Sequence, residues 1–133
     1  MLPPIEKTRT LPFPVSKIYA AWTSSETVIP PATSMEIDPQ IGGDYRLIIN
    51  TPDFKARCEG TFLVVEPDNR LVYSWSWEGD DNVTQIDVQI ADDPDGAKVT
   101  LSHSGFSDEQ SRTNHDHGWD SFFTGFEAFL DDQ

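Results

Sequence analysis

Only one cysteine, Cys58, occurs in the 133 residues. An intramolecular disulfide is therefore impossible, and no CxxC pair signals a structural zinc site. Basic side chains are scarce too: nine Lys and Arg stand against twenty-three Asp and Glu, a formal net charge of −14. Phosphate backbones and anionic lipid surfaces are bound by clustered Lys and Arg, so nucleic acid and membrane are excluded as expected partners. No uninterrupted apolar run approaches the ~18–20 residues that span a bilayer. The start, Met1-Leu2-Pro3-Pro4-Ile5-Glu6-Lys7, lacks a basic stretch followed by an apolar one, so no secretory leader is expected and the cytoplasm is the expected location. Repeats, low-complexity runs and linkers are missing as well, so one domain over 1–133 is expected. Such a length buries roughly two-thirds of the surface of the unfolded chain.

Acidic residues are abundant, and they gather at turns: Glu78, Asp80 and Asp81, then Asp92, Asp93 and Asp95. Asp92-Asp93-Pro94-Asp95-Gly96 has neither the twelve-residue loop nor the closing Glu of an EF-hand, and its Pro, Asp and Gly suit a solvated turn. The surplus charge serves solubility.

Period-two alternation and Thr content predict strands over Ile5–Leu11, 35–38, Asp44–Asn50, 54–66, Arg70–Trp77, 83–91 and 97–103. Turn residues separate them, at Gly42-Gly43, Thr51-Pro52-Asp53, Pro67-Asp68-Asn69, Glu78-Gly79-Asp80 and Pro94-Asp95-Gly96, which predicts an antiparallel meander. Between the first two strands, Val15, Ile18, Tyr19 and Trp22 recur at helical spacing over 14–23, and Ser24 or Ser25 caps a second short helical turn cut off by Pro30-Pro31. The clearest helix is C-terminal. Ser107-Asp108-Glu109-Gln110 fits a capping box, and Trp119, Phe122, Phe123, Phe126, Phe129 and Leu130 follow as one apolar stripe. Only a curved sheet is available to cover that stripe, so the expected class is α+β, a helix-grip arrangement of about seven strands around the long helix. Gly118, inside the helical pattern, suggests close approach of another backbone.

The inward faces follow from the strand period. Phe54, Ala56, Cys58, Gly60, Phe62 and Val64 form one set, Ile86, Val88 and Ile90 another, and Val99, Leu101 and His103 a third. In Arg70–Trp77 the aromatic side, Leu71, Tyr73, Trp75 and Trp77, is the expected inner face because it has the most area to bury.

Several stretches resemble the family of activator of heat-shock protein 90 ATPase homologues, within the START-like (SRPBCC) helix-grip superfamily. They are 14–22 (Pro-Val-Ser-Lys-Ile-Tyr-Ala-Ala-Trp), Ile41-Gly42-Gly43-Asp44-Tyr45-Arg46, Gly60-Thr61-Phe62, the strand Arg70–Trp77, Leu101-Ser102-His103-Ser104-Gly105-Phe106 and His115-Asp116-His117-Gly118-Trp119. The ordered set carries the resemblance. Where relatives often have a Trp-containing segment after the first helices, this chain reads Val28-Ile29-Pro30-Pro31-Ala32-Thr33-Ser34, so a differently shaped cavity mouth is expected. The resemblance implies an apolar cavity between sheet and helix, but fold does not fix a reaction. It implies a small hydrophobic or aromatic molecule as partner, a chaperone as the alternative, and a cyclase or hydrolase as a third reading. No cofactor is implied, and either a monomer or a homodimer fits.

The expected cavity residues are Tyr45, Leu47, Cys58, Phe62, Tyr73, Trp75, Trp77, Ile86, Val88, Leu101, His103, Trp119, Phe122, Phe123 and Phe126. The aromatic members fit two readings, a solid core or the lining of a pocket for a flat ligand. His103 is the one candidate general base; its competing role is structural, at the bend before the helix. Tyr45 and Tyr73 offer hydroxyls, and Arg46 a charge if its strand twists inward. Cys58 suits a buried apolar role, since thiols in apolar surroundings are inert. His115 and His117, two apart on a helix, point in different directions and make no HExxH face, and a zinc site from His103, His115 and Cys58 needs distant segments to converge. No metal is expected.

Overall fold

Turn residues between alternating strands leave each strand paired with the next, and the computed structural model has that arrangement. It describes residues 2–132; Met1, the first residue of the N-terminal stretch read above, and Gln133 lie outside the described residues. The strands are β1 (Ile5–Leu11), β2 (Ser34–Ile37), β3 (Asp44–Asn50), β4 (Lys55–Glu66), β5 (Arg70–Trp77), β6 (Thr84–Asp93) and β7 (Gly96–Ser104), with α1 (Val15–Trp22) after β1 and α2 (Glu109–Asp131) at the end. All seven form one curved antiparallel sheet in the order β1-β7-β6-β5-β4-β3-β2. Consecutive strands from β2 to β7 are hairpin neighbours, and β1 closes the far edge against β7. At the acidic β6–β7 turn the Asp95 N–H donates to Asp93 Oδ1 at 3.0 Å, a local side-chain turn of the kind aspartate favours.

Four local expectations need correction. One short helix, α1, lies between β1 and β2 rather than two; from Thr23 to Thr33 the chain makes isolated turns, with the Glu26 N–H bonded to Ser24 Oγ at 3.1 Å. Ser24 there bonds its own turn instead of starting a helix. The cap of α2 is Asp108, whose carboxylate accepts from the Ser111 N–H at 3.2 Å, while the Ser107 N–H donates to Asn82. A β-bulge between Phe62 and Val64 shifts the register of β4 against β5. Beyond it Val65, not Val64, packs on the core, while Phe54, 58 % exposed and just before the strand, keeps the expected inner side with Ala56. One extra residue in a strand reverses the faces that follow it. Finally, nothing lies within 4 Å of a Cβ built on Gly118; on α2 the close approach is at Gly125, 2.6 Å from Ile29 Cγ2.

One flank of α2 is pinned to β1 and the segment before it. Arg112 donates to the Pro3 and Pro4 carbonyls at 2.7 and 3.1 Å. Lys7 pairs with Asp116 and Asp120 at 3.0 Å each, and Arg9 with Asp120 at 2.7 Å. The Arg9 guanidinium also sits 5.4 Å from the centre of the Phe123 ring. The Lys7 side chain is only 13 % exposed, so its pairs are less weakened by solvent than freely exposed ones. These ties fix the helix over one edge of the sheet, and the other half of the sheet curves away from it.

Candidate functional site

The sheet's inner face divides in two. Over β1, β6 and β7 it is filled: Ile86, Val88, Val99, Leu101 and His103 are fully buried, together with Phe126 and Leu130 of α2. Over β2 to β5 a half-open cavity of about 710 Å³ lies between sheet and helix. That volume lies within the roughly 300–1,000 Å³ of small-molecule sites. Its walls are Met35 of β2, Tyr45, Leu47 and Ile49 of β3, Phe54 just before β4, Ala56 of β4, Tyr73, Trp75 and Trp77 of β5, Ala21 and Trp22 of α1, and His115, Trp119, Phe122 and Phe126 of α2. The turns at Thr27 and 29–32 close one side, and Asp80, Asp108, Gln110 and Asn114 stand at the polar rim. None of the lining residues comes from β1, β6 or β7.

Eight of the fifteen residues singled out from sequence therefore meet at this wall: Tyr45, Leu47, Tyr73, Trp75, Trp77, Trp119, Phe122 and Phe126. Seven lie elsewhere. Ile86 and Val88 on β6 and Leu101 and His103 on β7 belong to the filled half, and Phe123 faces that side of α2 under Arg9. Cys58 and Phe62 on β4 are buried in the core cluster, Phe62 against the rings of Tyr45 and Tyr73. Strand alternation identifies the inner face but not where along it the helix lifts off. Arg46 does not turn inward; it bonds Glu36 and Glu59 at 3.2 and 3.1 Å on the outer face.

All four tryptophans line the cavity, and every indole N–H has an acceptor. Trp22 donates to the Tyr73 hydroxyl at 3.2 Å, and Trp75 and Trp77 both donate to His115 Nε2 at 3.1 Å. Trp119 donates to His103 Nδ1 at 3.0 Å. Because an indole can only donate, these bonds fix the histidine tautomers. His115 accepts at Nε2 and donates from Nδ1 to the Ser111 carbonyl at 2.8 Å. His103 accepts at Nδ1 and donates from Nε2 to Thr84 Oγ1 at 2.7 Å, leaving the Thr84 hydroxyl to donate to the Trp75 carbonyl at 3.1 Å. The chain of bonds thus joins the filled half to the cavity wall.

Burial sets the protonation states. His103 is pulled from the ordinary 6.5 down to about 3 by desolvation, with His115 adding to the effect. Desolvation pushes the Tyr45 and Tyr73 hydroxyls and the Cys58 thiol well up, so all three stay protonated. His103, Tyr73 and Arg46 do not converge: the imidazole bonds Thr84 and Trp119, the phenol bonds Trp22, and the guanidinium is outside. The His103 and His115 rings do meet, with centres 5.2 Å apart, but no group of three or more His, Cys, Asp and Glu forms a cation site among the described residues. What the arrangement can do is bind and orient an apolar molecule away from water.

His115 and Trp22 were not among the residues expected at the cavity, whereas 29–32, within the stretch expected at its mouth, do line it. His115 had a signal, since 115, 119, 122 and 126 share one helix face. Its role as acceptor for two indoles had none, because those indoles lie about forty residues earlier in the chain.

A family model described as Activator of Hsp90 ATPase homolog 1-like protein matches residues 12–131. Among solved structures, a protein of Mesorhizobium loti superposes with a TM-score of 0.86 at 20 % identity, covering 98 % of each chain. A protein of Chromobacterium violaceum gives 0.85 at 20 % identity, over 97 % of this chain and 98 % of that one. An AHSA1-like protein from Aeromonas hydrophila gives 0.82 at 19 % identity, over 96 % and 92 %. No curated protein matches by sequence. No helix among the described residues is long and apolar enough to cross a membrane.

Proposed function

The chain belongs to the Activator of Hsp90 ATPase homolog 1-like family, and from that premise we propose that it binds one small, flat, largely apolar molecule between β2–β5 and α2. The observation that carries this reading is the cavity of about 710 Å³ walled by four tryptophans, two tyrosines and three phenylalanines. Side chains that serve only as core fill the space between them, as they do over β6 and β7. Here the rings instead leave a volume large enough for a fused-ring compound, with polar groups gathered at the rim. The indole N–H groups are held by protein acceptors, so the walls present ring faces to a ligand rather than unmet donors. Binding follows from area removed from water, and orientation from stacking against rings whose positions the hydrogen bonds fix.

The test is thermal unfolding against a panel of neutral fused-ring aromatics, sterols and lipids. A ligand of the folded state raises the melting temperature in proportion to RT ln(1 + [L]/Kd), about 2.7 kcal/mol of stabilisation at a hundredfold excess over Kd. The expected result is a saturable rise with fused-ring aromatics that Ala56→Phe, which fills the cavity from β4, abolishes. No rise with any member of the panel would sink the proposal.

A further inference from the structure

The cavity wall holds no lysine or arginine, although the chain has nine. We propose that this site, if it binds flat aromatics as argued above, is selective for charge and takes an aromatic ammonium while rejecting an aromatic carboxylate. Most of the cations are committed elsewhere. Lys7, Arg9, Arg46, Arg57 and Arg70 are in ion pairs with the chain's own carboxylates, and Arg112 holds the Pro3 and Pro4 carbonyls. The Lys17 ammonium sits 4.7 Å from the Phe13 ring centre, and Lys55 and Lys98 are exposed. An anion entering the cavity therefore loses its hydration and gains no counter-charge. A cation meets the opposite surroundings. The faces of Trp75, Trp77 and Trp119 attract positive charge through the ring quadrupole. Asp80 and Asp108 stand at the rim, and His115 has no N–H to offer an anion, since its Nδ1–H goes to the Ser111 carbonyl. The net charge of −14 adds a field of the same sign at the mouth.

The experiment uses three probes with one ring system: 2-naphthylmethylamine, 2-naphthalenemethanol and 2-naphthoate, titrated by calorimetry at neutral pH and at two salt concentrations. The ammonium is expected to bind about tenfold more tightly than the alcohol, and the carboxylate at least about tenfold more weakly. In Asp80→Asn/Asp108→Asn the preference for the ammonium is expected to shrink severalfold while the alcohol binds as before. Asparagine keeps both the turn and the helix cap, so the fold is retained. Equal binding of all three probes, or tightest binding of the carboxylate, overturns the charge selectivity and leaves the aromatic site standing. A preference that high salt removes and the double variant does not change also overturns it, because the discrimination then belongs to the protein's overall charge. If none of the three binds, the reading of the cavity as an aromatic site fails first.

Discussion

The two halves of the inner face are both apolar and end in different states. Over β6 and β7 branched aliphatic side chains interdigitate with Phe126 and Leu130 and leave no exposure. Over β3 to β5 large rings meet edge to face, as Trp75 does with Trp77, and border an opening beside a helix whose other flank is tied to β1. Aliphatic chains fill irregular gaps, whereas flat rings locked by indole hydrogen bonds hold an opening. The difference teaches that apolar composition alone does not decide whether a half-sheet becomes core or cavity. The anchoring of the helix and the rigidity of the rings decide it.

The comparison can be broken most directly by truncating one leucine in each half. Leu101→Ala, in the filled half, is expected to cost about 2–5 kcal/mol in denaturant unfolding, because a void is created where no atom can move in. Leu47→Ala, which only enlarges an existing cavity, is expected to cost about 1 kcal/mol. Equal losses would mean that the two halves are packed alike.

The second effect is pH-dependent. Folded His103 titrates at about 3 and the unfolded residue near 6.5, so between those values the unfolded chain binds the extra proton. Stability from this group is complete above pH 6.5 and declines as pH falls, by about 2 kcal/mol at pH 5. Relief of repulsion among the acidic residues acts in the opposite direction, but equally in a His103→Gln variant. The difference in slope between the two proteins from pH 7 to pH 5 is therefore the measured quantity, and parallel curves would contradict a neutral, buried imidazole.

Two glycines on α2 sharpen the comparison further. Gly118→Ala is expected to raise stability by about 0.5–1 kcal/mol through the backbone, since its Cβ meets nothing within 4 Å. Gly125→Ala forces Ile29 to shift from 2.6 Å, and is expected to lower stability by about 1 kcal/mol and weaken ligand binding at the cavity's turn side. The reverse order of the two would show that Gly118, not Gly125, carries the close contact. The smallest effect belongs to Thr27, whose buried hydroxyl has no hydrogen-bond partner among the described residues. Thr27→Val is expected to be neutral or to stabilise by less than about 1 kcal/mol, and a clear loss would show that the hydroxyl has a partner after all.

Much of the architecture was legible. The period-two strands, the turn residues between them and the stripe from Trp119 to Leu130 predict a sheet over one long helix, and the seven strands and α2 follow that pattern. What the pattern missed depends on single residues in three dimensions. The bulge after Phe62 reverses the face of Val64 without any turn residue to mark it. Asp108 rather than Ser107 caps α2, its carboxylate taking the Ser111 N–H one residue further along the chain than the capping box predicts. At the site, alternation put Ile86, Val88, Leu101 and His103 on the correct face but could not show that the helix lies tight against that half. His115 escaped notice because its partners, Trp75 and Trp77, are brought to it only by the folded sheet.

The central claim is that the cavity over β2–β5 is open to a ligand while the face over β6 and β7 is closed. The four indole N–H resonances report on it, since Trp22, Trp75, Trp77 and Trp119 all stand on the cavity wall. Titration with 2-naphthalenemethanol, followed in ¹⁵N–¹H spectra, is expected to move these four signals saturably while the amides of Val88, Val99 and Leu101 stay in place. Indole signals that do not move, or shifts spread evenly over both halves of the sheet, would contradict it.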